Sequence, residues 1–124
     1  MTNIDPWSMA GWLLYRFFPE AHELDRQDFL PTDRFVDLMT DAGFGQVRVS
    51  RVDLSRDERL DQFFGYVSER HRASQLMAIS DAAYQRGIQR VEAAVAKSAP
   101  HVLQRSEFVV VTIAADKPWV ERAA

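Results

Sequence analysis

Phe108-Val109-Val110-Val111-Thr112-Ile113 is an unbroken run of β-branched and aromatic residues. Its length suits a strand, and its unbroken apolarity predicts burial on both faces, as in a central strand. A central strand needs a hydrogen-bonding neighbour on each side, because an unpaired row of backbone donors and acceptors beside apolar side chains invites aggregation. One neighbour is legible. Gln46 to Leu54 alternates with Val47 and Val49 on one face, while Val52 and Leu54 fall on the other parity. That switch predicts a bulge or bend near Ser50 and Arg51. Met1 to Pro6 makes a poor strand, so the second neighbour is expected outside the chain, from a second copy or a partner chain. The expected class is α/β, with two long antiparallel strands (about 46–54 and 107–114) and four to five helices.

Outward from the strands, helical signals fill the chain. Trp7 to Phe18 reads as an aromatic-rich helix opening at Asp5-Pro6 and ending before Pro19. Thr32 is placed to cap a helix carrying Phe35, Val36, Leu38 and Met39, with Asp33 in its first turn. Gly43 followed by Phe44 predicts a Schellman-type ending for it. Ser55-Arg56-Asp57-Glu58 fits a capping box, and Leu60, Phe63, Phe64 and Val67 continue as a helical stripe. Ser80 is a second cap, leading Tyr84, Ile88, Val91 and Val95 at helical spacing to about Ser98 before Pro100. Residues 56–98 are therefore expected as a helical insertion between the strands, within one domain, 1–124.

Composition removes several functions. The chain has 124 residues, 15 Lys and Arg against 18 Asp and Glu, and no run of like charge long enough for a nucleic-acid footprint. No cysteine means no disulfide, thiolate metal site or thiol nucleophile. His22, His71 and His101 have no metal-ligand spacing, so no metal is expected. The first 20 residues lack a basic leader, and their apolar run is only Trp12 to Tyr15, so a membrane span is not expected and a cytoplasmic setting is.

The stretch LYRFFPEAHELDRQDFLPTDRFVDLMTDAGFGQVRVSRVDLS (14–55), the helical insertion and the closing EFVVVTI (107–113) together resemble the C-terminal half of Rossmann-like S-adenosylmethionine-dependent methyltransferases. The resemblance spans roughly Trp12 to Ile113, and its specificity lies in the order of elements. It implies a last strand inserted antiparallel between the penultimate and fifth strands, S-adenosylmethionine as cofactor and a small-molecule acceptor. The sequence departs from the family in its cofactor-binding half: the acidic residue that ends the second strand and takes the ribose hydroxyls is absent. The Gly-rich strand-turn-helix that lets backbone approach the cofactor is missing. Gly43-Phe44-Gly45 follows a helix and precedes a strand, so it reads as a helix end, and no residue here is assigned to cofactor binding.

Ligands of parallel α/β sheets sit beyond the carboxyl ends of strands. In a family-like arrangement the insertion would roof that region, and Trp7, Trp12, Tyr15, Phe63, Tyr66 and His71 would lie nearest an acceptor. Read singly, Trp12, Phe63 and Phe64 are core or helix-packing residues and His71, between arginines, is a solvated residue near a helix end; only the cluster points to a site. Tyr84 reads as core, and Asp25, Arg26, Asp28, Asp33, Arg34 and Asp37 as a solvated surface. The expected function is the substrate-recognition half of a methyltransferase, inactive alone. A non-catalytic dimerisation or ligand-binding module of α+β type stands as the alternative.

Overall fold

The central run is indeed flanked on both sides, and both flanking strands come from the chain itself. The computed structural model describes residues 1–99 and 102–116; Pro100 and His101 lie outside the described residues. In chain order the elements are β1 (Thr2–Ile4), a 3-10 turn (Pro6–Ser8), α1 (Leu13–Phe17), α2 (Pro19–Asp28), α3 (Thr32–Asp41) and β2 (Gly45–Arg59). There follow α4 (Leu60–Ser68), a second 3-10 turn (Arg70–Arg72), α5 (Ser74–Ala78), α6 (Asp81–Lys97) and β3 (Leu103–Asp116).

The sheet order is β1-β3-β2, with β3 antiparallel to both neighbours. β1 corrects the expectation that Met1 to Pro6 is not a strand. Thr2 stands opposite Thr112 and Ile4 opposite Val110, and the Met1 carbonyl accepts from the Ile113 amide at 2.7 Å. Three residues are too few to show a period; the strand exists because the free edge of β3 recruits it. Burial on both faces is also corrected. Val109, Val111 and Ile113 are buried, Phe108 and Val110 half-buried, and Thr112 exposed.

β2 is longer than its alternation suggests. Its pairing with β3 runs unbroken from Arg48 opposite Ala114 to Arg59 opposite Leu103. No bulge occurs at Ser50 or Arg51; the irregularity lies between Gly45 and Arg48, where Gln46 has a φ of 48°. The parity switch instead reflects exposure, since Val49, Val52 and Leu54 are all about half exposed and none of them answers to a core. Ser55-Arg-Asp-Glu58 belongs to the strand and not to a capping box, with Asp57 opposite Arg105 and the Ser55 hydroxyl accepting from Arg105 Nε at 2.7 Å. The insertion therefore starts at Leu60 rather than Arg56.

Among the helix signals, Gly43 and Ser80 act as read. Gly43, at φ 94°, donates to the Thr40 carbonyl and Phe44 to the Met39 carbonyl, the paired bonds of a Schellman ending. Ser80 Oγ accepts from the Ala83 amide at 3.1 Å. Thr32 is the first residue of α3 and not its cap, which is Pro31. The Trp7 to Phe18 helix resolves into the Pro6–Ser8 turn and the short α1, and Pro19 opens α2.

The core joins Met9, Leu13, Leu14 and Phe18 to Leu60, Phe63 and Val67 of α4, Leu76 of α5, Val91 of α6 and the buried side of β3. α6 approaches α1 closely at Gly87, where an added Cβ would lie 2.1 Å from two ring carbons of Phe18. Tyr84 is core as read, its hydroxyl donating to the Val67 carbonyl at 2.7 Å.

Candidate functional site

Gly11 to Leu13 is pinned against β3. The Glu107 amide donates to the Gly11 carbonyl at 3.1 Å, and the Leu13 amide to the buried Ser106 hydroxyl at 3.0 Å. Trp12 is held between them, edge-on to Phe108 at 5.1 Å and to Tyr15 at 4.6 Å, both favourable aromatic geometries. Across from it α4 leaves the carboxyl end of β2 and carries Phe63 and Tyr66 one turn apart. Between these elements lies a cleft of about 470 Å³ lined by Trp12, Leu14, Gln62, Phe63, Tyr66 and the strand segment Arg56 to Arg59. A second hollow of about 270 Å³ shares Trp12, Arg56 and Glu58 and reaches Leu54, Ser106 and Phe108.

The cleft has an aromatic wall and a charged rim. Phe63 is buried and packs on Phe17 at 5.8 Å; Tyr66 is exposed, its hydroxyl 3.4 Å from the Arg72 carbonyl and the Arg72 guanidinium 6.0 Å from its ring centre. On the rim Arg56 pairs with Glu58, and Arg59 with Asp61 at 2.7 Å. Such exposed pairs contribute at most about 1 kcal/mol each and mainly orient the side chains. Arg56 and Arg59 stand among Asp57, Glu58 and Asp61, so charges of both signs are interspersed along the rim and neither sign dominates strongly. Planar aromatic faces with polar groups around them suit a small, flat, neutral or zwitterionic molecule.

Of the six residues singled out in the sequence, the structure brings Trp12, Phe63 and Tyr66 into this cleft. Trp7 sits exposed on the Pro6–Ser8 turn, and His71 is exposed on the Arg70–Arg72 turn; neither lines the cleft. Tyr15 lies behind Trp12. Its hydroxyl donates to the Asp25 carboxylate, and its ring stacks on His22 at 4.3 Å, whose Nε2 lies 2.6 Å from the Pro6 carbonyl oxygen. Burial, together with that carboxylate, pushes the Tyr15 hydroxyl far above its ordinary range. Burial likewise raises Asp25, against the bond from Tyr15, which lowers it. Asp25 is thus no surface residue, as read from its charged surroundings, but the acceptor of a polar tie between α1 and α2.

Sequence reasoning missed Arg56 to Arg59 and Gln62 as cleft residues, because Ser55 to Glu58 imitates a helix start. A usable signal was present: Arg51 with Asp53 and Arg56 with Glu58 set opposite charges two residues apart, as on one face of a strand.

Gly43-Phe44-Gly45 does not fit a cofactor loop, since the Gly43 and Phe44 amides are already spent on the end of α3. Among the described residues no group of three or more His, Cys, Asp or Glu is placed to hold a metal ion, and no helix is long and apolar enough to cross a membrane. Comparison of the chain with protein-family models, with curated proteins and with solved structures finds no match.

Proposed function

We propose that the chain is the substrate-recognition half of a Rossmann-like S-adenosylmethionine-dependent methyltransferase that acts on a small molecule. One observation carries the reading. β3 runs antiparallel between β1 and β2, which are therefore parallel to each other, and the α4–α6 insertion leaves the carboxyl end of β2 with the cleft at its foot. That is the strand arrangement the resemblance implies for the end of such a fold, with β1 in the place of the fifth strand. It also puts the cleft where α/β sheets hold ligands.

In this reading Trp12, Phe63 and Tyr66 stack against a flat acceptor, and the rim from Arg56 to Arg59 orients its polar substituents. S-adenosylmethionine supplies the methyl group. The Gly-rich turn that would hold it is not found in this sequence, so these residues contribute acceptor positioning, the part of methyl transfer that depends on orientation. A cytoplasmic setting accords with the absence of cysteine.

A thermal-shift titration tests the assignment in two arms. Small planar aromatic acceptors are expected to give saturable stabilisation that Tyr66→Ala weakens, while S-adenosylmethionine gives none. Saturable stabilisation by S-adenosylmethionine, or acceptor shifts indifferent to Tyr66→Ala, would overturn it. Coding sequence in frame ahead of Met1 for a strand and a Gly-rich turn would strengthen it further.

A second reading, a non-catalytic dimerisation or ligand-binding module of α+β type, is favoured by the sheet itself. Among the described residues both strand pairings are antiparallel and lie within one chain, as in a self-contained α+β domain, which favours the ligand-binding form of this reading over completion of β3 by a second copy. Unrelated sequence ahead of Met1 would favour this module.

A further inference from the structure

β2 is an outer strand, and among the described residues its far edge pairs with nothing. It has 15 residues, against about 5–6 in a typical strand, so its open row of backbone groups is about 50 Å long. Val52 and Leu54 are 52% and 50% exposed and share a face with Val110 and Phe108, their partners on β3. Long apolar edges template association unless charges bar it. The charges of β2 are placed unusually for a guard: all but one are in ion pairs within the chain, and the exception among the described residues is Asp57.

We propose that β2 pairs antiparallel with β2 of a second copy of this chain, about a two-fold axis through Leu54. The geometry restricts the possibilities. A two-fold that keeps each side chain on its own face must set one residue opposite its own mate. Centring it on Arg51, Asp53 or Arg56 opposes a charge to itself. Centring it on Val52 sets Arg48 against Arg56, and on Ser55 sets Asp53 against Asp57. Centring it on Val49, Ser50 or Leu54 opposes no like charges, and of these three only Leu54 sets opposite charges against each other. There Leu54 meets Leu54, Ser50 meets Glu58, and Arg51 meets the unpaired Asp57 twice over by symmetry. Like charges thus remove most registers, the two Arg51–Asp57 pairs select this one from the rest, and a self-matching pattern singles out a second copy over an unrelated strand. The proposal does not depend on the acceptor cleft being a methyltransferase site.

Sedimentation equilibrium on the whole chain, from micromolar to hundreds of micromolar, is expected to show a monomer–dimer equilibrium that Asp57→Arg weakens about tenfold, with circular dichroism unchanged. A short thiol cross-linker is expected to join Leu54→Cys chains through their only thiol, and to leave Ser50→Cys chains, whose thiols lie about 27 Å apart in the dimer, unjoined. A monomer at every concentration, insensitivity to Asp57→Arg, or equal cross-linking of the two cysteine variants would overturn the proposal.

Discussion

β2 and β3 are paired rung for rung, yet they occupy different environments. Val49 and Ile113 stand opposite each other on one face; the first is 46% exposed and the second 4%. Helices reach both strands, α1 and α3 against β3 and α3 and α4 against β2, but β3 has a strand on each side whereas β2 has one strand neighbour and an open edge. Hydrogen bonding aligns the two strands, but lateral position in the sheet decides what each buries. An apolar residue on β2 is therefore weak evidence of core, and a charged one there faces little desolvation.

The comparison breaks most readily at β3. Ile113→Ala should cost about 2–4 kcal/mol in urea unfolding, through lost transfer energy and the cavity left behind. Next comes the polar tie in the helices that cover β3. Asp25→Ala leaves the buried Tyr15 hydroxyl without its acceptor and should cost about 1–3 kcal/mol. Asp25→Asn keeps an acceptor oxygen and removes the charge. Because burial raises the Asp25 carboxyl in the folded state, the folded chain binds its proton more readily than the unfolded chain does. Its contribution to stability should fall as pH rises from the ordinary aspartate value through the raised one, a slope that pH-dependent unfolding of Asp25→Asn should lack. Gly43→Ala acts where β2 begins: a Cβ at φ 94° should cost about 1–2 kcal/mol while leaving the β3 core packed. The smallest effect should be at the exposed strand, where Val52→Thr is expected to change monomer stability by less than about 0.5 kcal/mol. A cost for Val52→Thr equal to that for Ile113→Ala would show that something covers β2.

Local signals carried much of the fold. Gly43 with Phe44 announced how α3 ends, Ser80 how α6 begins, and Phe108 to Ile113 where the sheet is centred, because caps and strand-length apolar runs act through neighbouring residues. The aromatic wall of the proposed cleft was legible too, since Trp12, Phe63 and Tyr66 stand out as aromatics. Arg56 to Arg59 did not stand out, because the same four residues satisfy the pattern of a helix cap and that of an exposed strand, and only pairing with residues 103–106 chooses between them.

By itself, then, the sequence determined where α3 ends, where α6 starts and that β3 lies inside a sheet. Tertiary structure alone decided that Thr2 to Ile4 is the second neighbour of β3, that β2 runs on to Arg59, and that Asp25 is buried while Leu54 is not. The reason is physical: a three-residue strand, a polar strand and a buried carboxylate have no favourable local conformation of their own, and each exists because distant residues supply the hydrogen bonds or the cover it needs.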